Sequence, residues 1–238
     1  MTPMTGNERA KYIQDMFTRI AKRYDLMNRL MTGGQDIRWR KRVIEIARIN
    51  KHASLLDLGT GTGDLAREAL SQFPRAKVIA ADFTHEMMRV GQKRGPLNFY
   101  AADALRLPFN DYSFDAVVSG FLMRNVIDLQ KALEEQYRVL KHGGRIVVLD
   151  TTPPKKNILF PFIWLHMHFI VPTLGGLLAG SRAAYRYLPE TTEGFVTAEE
   201  MATRMAIAGF KKIDFQRLMF DTIAIHWGKK IISNGGSK

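Results

Sequence analysis

Leu56-Asp57-Leu58-Gly59-Thr60-Gly61-Thr62-Gly63-Asp64 is the stretch that decides the fold. An apolar run that starts at Ser54 leads into it, and an amphipathic segment starts near Asp64. The glycines therefore lie at a turn from a strand into a helix, where they permit positive φ and a close approach of a ligand to the backbone. This order of elements predicts a nucleoside-binding loop of an α/β protein. A structural turn with helix caps and no ligand is the alternative.

The spacing of the glycines indicates which ligand the loop binds. Gly59, Gly61 and Gly63 form a GxGxG pattern, whereas a dinucleotide fold requires a glycine where Asp64 stands. A carboxylate at the start of a helix would repel a pyrophosphate there. It would tolerate a ligand with an ammonium group, a sulfonium cation and one carboxylate, and Asp57 can bind that ammonium directly or through water. The loop thus predicts S-adenosylmethionine as the cofactor.

Short apolar runs alternate with amphipathic segments after the loop, which predicts a parallel, doubly wound sheet. The predicted strands are 54–58, 77–82, 97–101, 114–119 and 144–150, and the predicted helices are 64–73, 85–93 and 128–141. A helix near 197–209 and strands near 211–218 and 221–228 follow. Only a turn separates the last two strands, so they must pair antiparallel. The predicted fold is α/β, with a class I methyltransferase Rossmann-like sheet, mostly parallel with an antiparallel C-terminal hairpin strand, and helices on both faces.

Polar side chains end three further strands of this predicted sheet. Asp82 ends the second strand and can accept both ribose hydroxyls of a nucleoside. Asp103 follows the third strand and can accept the adenine amino group, and Ser119 ends the fourth. Ligands of open α/β sheets bind outside the carboxyl ends of the strands, so we expect these side chains to meet the glycine loop in one crevice.

Two regions flank this unit. Residues 1–50 are predicted to form an N-terminal helical lid, and residues 51–238 the cofactor-binding domain, with an apolar helical insertion at 155–195. The most apolar part, 157–180, is long enough to suggest a membrane span. Its prolines and histidines, and its position inside the α/β unit, favour a buried or interfacial helix that covers an apolar substrate.

Composition narrows the class of protein. The 238 residues include no cysteine and carry a formal charge of +12, and no cluster has metal-ligand spacing. The N-terminus has no secretory signal, which predicts a cytoplasmic protein. The charge favours a polyanion or an anionic membrane, although it can also serve solubility alone. Cations are dense near the N-terminus, at Lys22, Arg23, Arg29, Arg38, Arg40, Lys41 and Arg42.

Beyond the loop, the chain resembles the ubiquinone/menaquinone biosynthesis C-methyltransferase family along nearly its whole length. The most specific matches are Tyr24-Asp25-Leu26-Met27-Asn28, with Trp39-Arg40 after it, and Ala184-Tyr185-Arg186-Tyr187-Leu188-Pro189-Glu190. Others are Leu107-Pro108-Phe109, Arg124-Asn125-Val126 and Tyr137-Arg138-Val139-Leu140-Lys141. The resemblance implies methylation of the ring of a polyprenylated quinol, either demethylmenaquinol or a methoxy-polyprenyl-benzoquinol.

Residue by residue, the resemblance carries the family's cofactor contacts onto Thr62, Asp82, Asp103, Ala104 and Ser119. The chain departs from the family at Phe121-Leu122-Met123-Arg124-Asn125, where the family usually has glycine at the position of Leu122. We expect this bulky side chain beside the reaction centre, where it would affect the choice of substrate.

Methylation of an aromatic carbon requires a nucleophilic ring, which a quinol becomes when one hydroxyl is deprotonated. Arg124 is the predicted catalytic residue, because a guanidinium stays cationic and would stabilise the phenolate. Asn125 and Tyr24 are secondary candidates that would hold the ring or close the lid. A structural ion pair is the alternative for Arg124. His166 and His168 are candidate bases, although histidines in an apolar helix are more often structural.

Several alternatives stay open at this stage. The acceptor can be another small molecule, such as a phenol or a lipid, with the cofactor site unchanged. The charge also admits an RNA or protein methyltransferase, but no nucleic-acid motif is present and no nucleic-acid partner is expected. A non-catalytic nucleoside-binding protein is a third class. A polyprenyl tail would bring the protein to the inner face of the membrane, and a homodimer is one assembly open to it.

Overall fold

The computed structural model describes residues 6–155, 158, 160–173, 176 and 182–231, without the side chains of residues 7, 182–186 and 188. Its strands are β1 Ser54–Leu58, β2 Lys77–Asp82, β3 Asn98–Ala101, β4 Phe114–Gly120, β5 Leu140–Thr151, β6 Lys211–Leu218 and β7 Ile223–Lys229. They form one sheet in the order β3-β2-β1-β4-β5-β7-β6. β1 to β5 pair in parallel, whereas β7 runs antiparallel to both β5 and β6. The fold predicted from the sequence is confirmed, including its antiparallel hairpin.

Helices connect the strands and precede them. They are α1 Gly6–Ile20, a 3-10 turn Ala21–Arg23, α2 Tyr24–Thr32, α3 Gln35–Ala47, α4 Asp64–Gln72, α5 His85–Gln92, α6 Leu129–Val139, α7 Phe160–Leu165, a π-helix His166–Ile170, α8 Arg182–Glu193 and α9 Ala198–Ile207. Two have side-chain caps: Asp128 accepts the backbone N–H of Lys131 at 2.9 Å before α6, and Thr197 accepts that of Glu200 at 3.2 Å before α9. These caps satisfy amide groups that the first helical turn leaves unpaired.

The connection between α6 and β5 differs from the prediction. The helix predicted at 128–141 ends at Val139, because Leu140 is extended with ψ 138° and begins β5. Residues 142–143, predicted to connect this helix to a strand at 144–150, instead belong to an irregular part of β5. Gly143 has φ +80° there, and the pairing with β4 shifts register between Phe114 and Ala116. A local register shift of this kind lets a strand continue through residues that would otherwise form a turn.

Alternate side chains of the central strands enter two apolar cores, one on each face of the sheet. Leu55 of β1 faces the first core, where Val43 and Ile44 of α3 pack against it. Leu56, the next residue, faces the second core with Leu133 of α6. This alternation is the period-two pattern of a strand covered on both faces. The helix α3 therefore belongs to the core of the sheet, although the sequence placed it in the lid of residues 1–50.

The helices α1 and α2 cover the carboxyl ends of the strands. They share a small apolar cluster with the residue that follows the π-helix, formed by Met16, Ile20, Met27 and Val171. Two side chains of α1 bind the loops beneath it: Gln14 donates to the carbonyl of Phe83 at 3.1 Å, and Arg9 donates to the carbonyl of Arg124 at 3.4 Å. The cover over the sheet is thus formed by α1, α2 and part of the insertion.

The insertion presents apolar side chains on both its sides. Ile163 of α7 is buried, whereas Phe162, Leu165 and Phe169 are 71%, 49% and 56% exposed. Among the residues that the structure describes, no helix has the length and apolar character needed to cross a membrane. Parts of the predicted apolar segment, namely 157, 159, 174–175 and 177–180, lie outside the described residues.

Candidate active site

The glycine loop folds back onto the end of β2. The backbone N–H groups of Gly59 and Thr60 both donate to the carbonyl of Ala81, at 2.8 and 3.0 Å. The N–H of Gly61 donates to the Asp82 carboxylate at 2.7 Å. Gly59 and Gly61 have φ values of +67° and +58°, a conformation in which a side chain would be strained. The loop and the acid at the end of β2 therefore form one unit, as the sequence indicated.

Asp57 lies beneath the loop with one oxygen unpaired. Its Oδ2 accepts the hydroxyl of Thr60 at 2.5 Å and the N–H of Ala66 at 2.9 Å. Its Oδ1 is enclosed and has no hydrogen-bond partner among the described residues. Burial raises the pKa of Asp57 to about 7. Because buried polar atoms are nearly always paired, this oxygen fits the ammonium group of an S-adenosylmethionine held by the loop.

A cavity of about 140 Å³ opens above the loop between α1 and the carboxyl ends of β2, β3 and β4, and we call it the loop cavity. Asp82 lines it, and its carboxylate also accepts the N–H of Thr84 at 2.7 Å. Burial raises the pKa of Asp82. Asp103 lines the same cavity and accepts the N–H of Leu105 at 2.9 Å. Of the other predicted cofactor residues, the loop cavity contains Gly59, Gly61 and Ala104.

A smaller pocket of about 40 Å³ adjoins the loop and contains Asp57 and Thr62. Two other residues predicted to bind the cofactor line neither space. Gly63 instead allows close packing, since a Cβ there would lie 2.5 Å from Leu97. Ser119 is buried in β4, and its hydroxyl has no hydrogen-bond partner among the described residues. Their direct contact with a cofactor stays a prediction.

The charge on Asp64 is balanced, which the sequence did not indicate. Its carboxylate binds Arg40 at 2.6 Å and Arg94 at 2.7 Å. Arg94 also binds Asp25 of α2 at 2.6 Å, and Asp25 accepts the hydroxyl of Thr62 at 2.8 Å. The expected repulsion of a pyrophosphate by Asp64 is therefore weaker than predicted. Arg40, assigned to a basic surface, is instead buried, and its guanidinium belongs to this ion-pair network.

A second, larger cavity of about 310 Å³ adjoins the loop cavity at Phe121, and we call it the apolar cavity. Residues of α2, α7, the π-helix and the turn between β6 and β7 enclose it. Its apolar lining consists of Met31, Phe121, Phe162, Ile163, Met167, Val171, Met219, Phe220 and Ile223. Phe121 has φ +60°, which is rare for a residue with a side chain and typical of functional sites. The geometry suits a transfer between two ligands that meet at this residue.

Arg124 lines the apolar cavity with its charge paired. Its Nη1 donates to Oδ1 of Asp150 at 2.5 Å, and its backbone N–H donates to Oδ2 of the same carboxylate at 3.3 Å. The two side chains are only 8% and 3% exposed. The guanidinium also lies 5.1 Å from the ring centroid of Phe121. Arg124 therefore forms the ion pair that was the alternative for it, and it also lines the cavity, while its catalytic role stays a prediction.

The other candidate catalytic residues lie nearer the loop. Tyr24 and Asn125 line the loop cavity and not the apolar cavity. Both ends of the Asn125 amide are used: it donates to the carbonyl of Phe121 at 2.9 Å and accepts the hydroxyl of Tyr187 at 3.2 Å. Burial raises the pKa of Tyr24, which favours its neutral form. These contacts suit positioning better than proton transfer.

Leu122 and the two histidines also have defined places. Leu122 lines the loop cavity, where a Cβ on Gly59 would lie 2.8 Å from it, and its effect on the choice of substrate stays a prediction. His166 lines the apolar cavity. His168 does not; its ring stacks on Trp164 and lies 3.5 Å from Glu193. Of the two candidate bases, His166 alone faces the apolar cavity.

Sequence reasoning missed Asp150, although the signal was present. Asp150 is an acid at the carboxyl end of β5, and Asp82 was singled out because it is an acid at the carboxyl end of β2. The partners of Asp64 carried no such signal, since Arg40 and Arg94 lie 24 and 30 residues away from it in the chain.

Comparison with known proteins gives consistent findings. The profile of the ubiE/COQ5 methyltransferase family matches residues 4–230. A Desulfotalea psychrophila protein named "Ubiquinone/menaquinone biosynthesis C-methyltransferase UbiE" is 45% identical over 221 residues, which cover 92% of this chain and 90% of the relative. A Thermus thermophilus protein named "Demethylmenaquinone methyltransferase" is 44% identical over 220 residues, 90% of this chain and 100% of the relative.

Solved structures of similar shape share less sequence. The [4+2]-cyclase SpnF superposes with a TM-score of 0.69 at 16% identity, covering 94% of this chain and 97% of its own. A Thermotoga maritima protein described as a SAM-dependent methyltransferase, "possible histamine N-methyltransferase", gives a TM-score of 0.62 at 19% identity, covering 91% and 98%. At these identities the likeness shows the fold alone.

Proposed function

Since this chain belongs to the ubiE/COQ5 methyltransferase family and is an S-adenosylmethionine-dependent methyltransferase, we propose that its acceptor is a ring carbon of a polyprenylated quinol. The acceptor would be demethylmenaquinol, a methoxy-polyprenyl-benzoquinol, or both, in menaquinone or ubiquinone biosynthesis. The names of the relatives support this class of substrate. The observation that carries the proposal is an apolar cavity beside the loop cavity, with the guanidinium of Arg124 in its wall.

The loop cavity and the small pocket beside the glycine loop together offer partners for each part of the cofactor. Asp57 has an unpaired, buried oxygen for the ammonium group. Asp82 would accept the ribose hydroxyls, and Asp103 the adenine amino group. When bound, S-adenosylmethionine supplies an electrophilic methyl group on its sulfonium sulfur. The contacts of α1 with Phe83 and Arg124 hold the cover over this cavity and would exclude water from it.

Arg124 would stabilise the phenolate form of the quinol. Asp150 holds its Nη1, while Nε and Nη2 have no hydrogen-bond partner within the described part of the chain. The pair is close to neutral, so its effect on a phenolate would come from the remaining N–H groups of Arg124, at the wall of a cavity of low polarity. A phenolate pushes charge onto the adjacent ring carbon and makes it the nucleophile. His166, or a water held by Arg124, would accept the proton that this carbon loses.

Transfer of label tests the acceptor. Purified protein is incubated under reducing conditions with methyl-labelled S-adenosylmethionine and each demethylated quinol in turn, and the product is analysed by mass spectrometry. We expect label on a ring carbon of at least one quinol. Label on an oxygen, or no label in either quinol while the cofactor still binds, would contradict the quinol assignment and leave the methyltransferase assignment intact.

We also propose that the protein works at the surface of an anionic membrane, where the prenyl tail of the acceptor lies. Exposed apolar and cationic side chains alternate on α2 and α3, where Leu26, Leu30 and Ile37 are 55%, 45% and 45% exposed beside Arg29 and Arg38. The exposed phenylalanines of α7 and the π-helix flank the same apolar cavity. Such a surface combines charge attraction with shallow insertion.

Sedimentation with liposomes tests this placement. Leu165 and Phe169 are exposed and do not line the apolar cavity. The variant Leu165→Ser/Phe169→Ser should therefore lose most binding to anionic vesicles at low salt. A matched control is Ile207→Ser, at an exposed apolar position on α9. Equal sedimentation of both variants, or none by the wild type, would contradict a membrane surface at α7 and the π-helix.

A further inference from the structure

Two threonines that line the apolar cavity have hydroxyls without a hydrogen-bond partner among the residues that the structure describes. Thr151 ends β5 and Thr192 lies in the last turn of α8, and the two residues are 8% and 1% exposed. Both line the apolar cavity. Their Oγ1 atoms are enclosed and unpaired with respect to every residue that the structure describes. Two separate elements thus bring a buried, unpaired hydroxyl to the wall of one largely apolar space.

Such hydroxyls call for an explanation, because buried polar groups are nearly always paired and burial of an unpaired one costs stability. Other threonines of the same cavity show the usual arrangement. Thr222 donates to the carbonyl of Met219 at 2.7 Å, and Thr32 donates to that of Asn28 at 2.8 Å. Thr151 and Thr192 make no comparable contact with a described residue, so each hydroxyl keeps unused hydrogen-bonding capacity at the wall of the cavity.

We propose that Thr151 and Thr192 select an oxygen-substituted aromatic ring in the apolar cavity by hydrogen bonds to its oxygens. A threonine hydroxyl donates and accepts, so it can bind a phenolic O–H in either direction. The apolar walls cannot distinguish a ring with oxygens from one without them, whereas a site with buried hydroxyls rejects the analogue that leaves them unpaired. Arg124 would set the reactivity of the ring, and the two threonines would set the orientation of the ring in the cavity. The identity of the ring as a quinol rests on the proposed function.

Valine variants isolate the hydroxyls, because valine replaces each Oγ1 with a methyl group of similar shape. The test compares Thr151→Val and Thr192→Val with Thr152→Val. Thr152 is 1% exposed and its hydroxyl is also unpaired, but it does not line the apolar cavity. All three variants lose a buried, unpaired hydroxyl, so we expect each unfolding midpoint to stay at or above that of the wild type.

The probes are a dihydroxynaphthalene, kept reduced, and naphthalene, with dissociation constants measured by calorimetry. The wild type should prefer the dihydroxy compound. Thr151→Val and Thr192→Val should each weaken its binding by about tenfold, roughly the worth of one hydrogen bond, and leave naphthalene binding unchanged. Thr152→Val should bind both probes as the wild type does.

Three results would overturn the inference: no preference in the wild type, unchanged binding of the dihydroxy compound by both cavity variants, or an equal loss of both probes. The last would indicate a changed cavity shape and not a lost hydrogen bond. A wild type that selects the dihydroxy compound through the threonines, yet methylates neither quinol, would refute the proposed function and leave this inference standing.

Discussion

The loop cavity and the apolar cavity meet at Phe121 but are built in different ways. Neighbouring strand-loop-helix units supply the polar groups of the loop cavity, and its carboxylates lie at or just after strand ends. The apolar cavity is enclosed by α2, the insertion and the β6–β7 turn, which lie far apart in the chain. The difference teaches that a cofactor site can be encoded in local repeats of one pattern, whereas an acceptor site requires long-range packing.

The largest expected effect comes from a substitution of Arg124, which should lower the rate of methyl transfer and spare the binding of the cofactor. Arg124→Met should lower kcat by about 100- to 1000-fold, because a directed donor to the developing phenolate is lost. The dissociation constant for S-adenosylmethionine should stay within twofold. The variant also leaves Asp150 buried without its partner, which costs on the order of 3–5 kcal/mol of unfolding free energy.

A double variant separates these two consequences. Arg124→Met/Asp150→Asn removes both charges, so most of the lost stability should return while kcat stays low. The measurements are urea unfolding and single-turnover methyl transfer. Recovery of kcat along with stability would mean that the ion pair acts only on the fold.

The next effect belongs to the loop cavity alone. Asp82→Ala should weaken binding of S-adenosylmethionine by about 100-fold, since two charge-assisted hydrogen bonds to the ribose are lost. It also removes the acceptor for the N–H of Gly61, which loosens the loop. The KM for the quinol should change little. Asp103→Ala, which removes a more exposed acid of the same cavity, serves as the control, with an expected several-fold loss. Equal losses of cofactor affinity in the two variants would show that Asp82 contributes no more to binding than Asp103 does.

The same contrast explains how much the sequence could predict. The glycine loop, Asp57 and Asp82 were identified correctly as neighbours, because parallel strands bring their carboxyl ends to one edge. The partners of Asp64 were missed, since a pattern along the chain does not show which side chains of α3, and of the residues after α5, lie beside the start of α4. Leu122 was predicted to lie beside the reaction centre, and the structure places it against Gly59 in the loop cavity. Thr151 and Thr192 carry no sequence signal, as their significance lies in what they do not contact.

Asp57, in the small pocket beside the glycine loop, gives cofactor binding a pH dependence. Its folded pKa of about 7 lies above the unfolded value near 3.8. The stability that this group contributes is therefore fully present below about pH 4 and is lost as pH rises through 7. The ammonium of the cofactor favours the ionised form, so binding should tighten about eightfold between pH 6 and 7.5.

Asp57→Asn tests this linkage. Its amide oxygen can still accept from Thr60 and Ala66, while its NH₂ takes the place of the unpaired Oδ1. The variant should bind the cofactor more weakly and with little pH dependence over this range, and its stability should vary less with pH. Calorimetric titrations at each pH provide the measurement. A wild-type affinity that is flat from pH 6 to 7.5 would show that Asp57 is not the partner of the ammonium.

Substitution of Leu122 tests whether this side chain contributes to the cofactor site or to the acceptor site. Leu122→Ala should weaken cofactor binding by about three- to tenfold, from lost apolar contact of roughly 1 kcal/mol. The KM for the quinol should stay within twofold. Met31→Ala, on the wall of the apolar cavity, should do the reverse. A Leu122 variant that changes the quinol KM and spares the cofactor would move this residue to the acceptor side.

The smallest effect concerns Arg94, which joins the cover to the glycine loop. It binds Asp25 of α2 and Asp64 of α4, and its side chain is 35% exposed, so water and salt screen these pairs. Arg94→Met should speed cofactor release only about two- to fivefold at low salt, and the difference from the wild type should shrink at high salt. Arg89→Met is the matched control, since Arg89 lies on α5, shortly before Arg94 in the chain, and among the described residues pairs only with Glu86 in its own turn. Stopped-flow release measurements compare them. Identical rates for the two variants would mean that apolar packing of α1 and α2, and not this ion pair, closes the loop cavity.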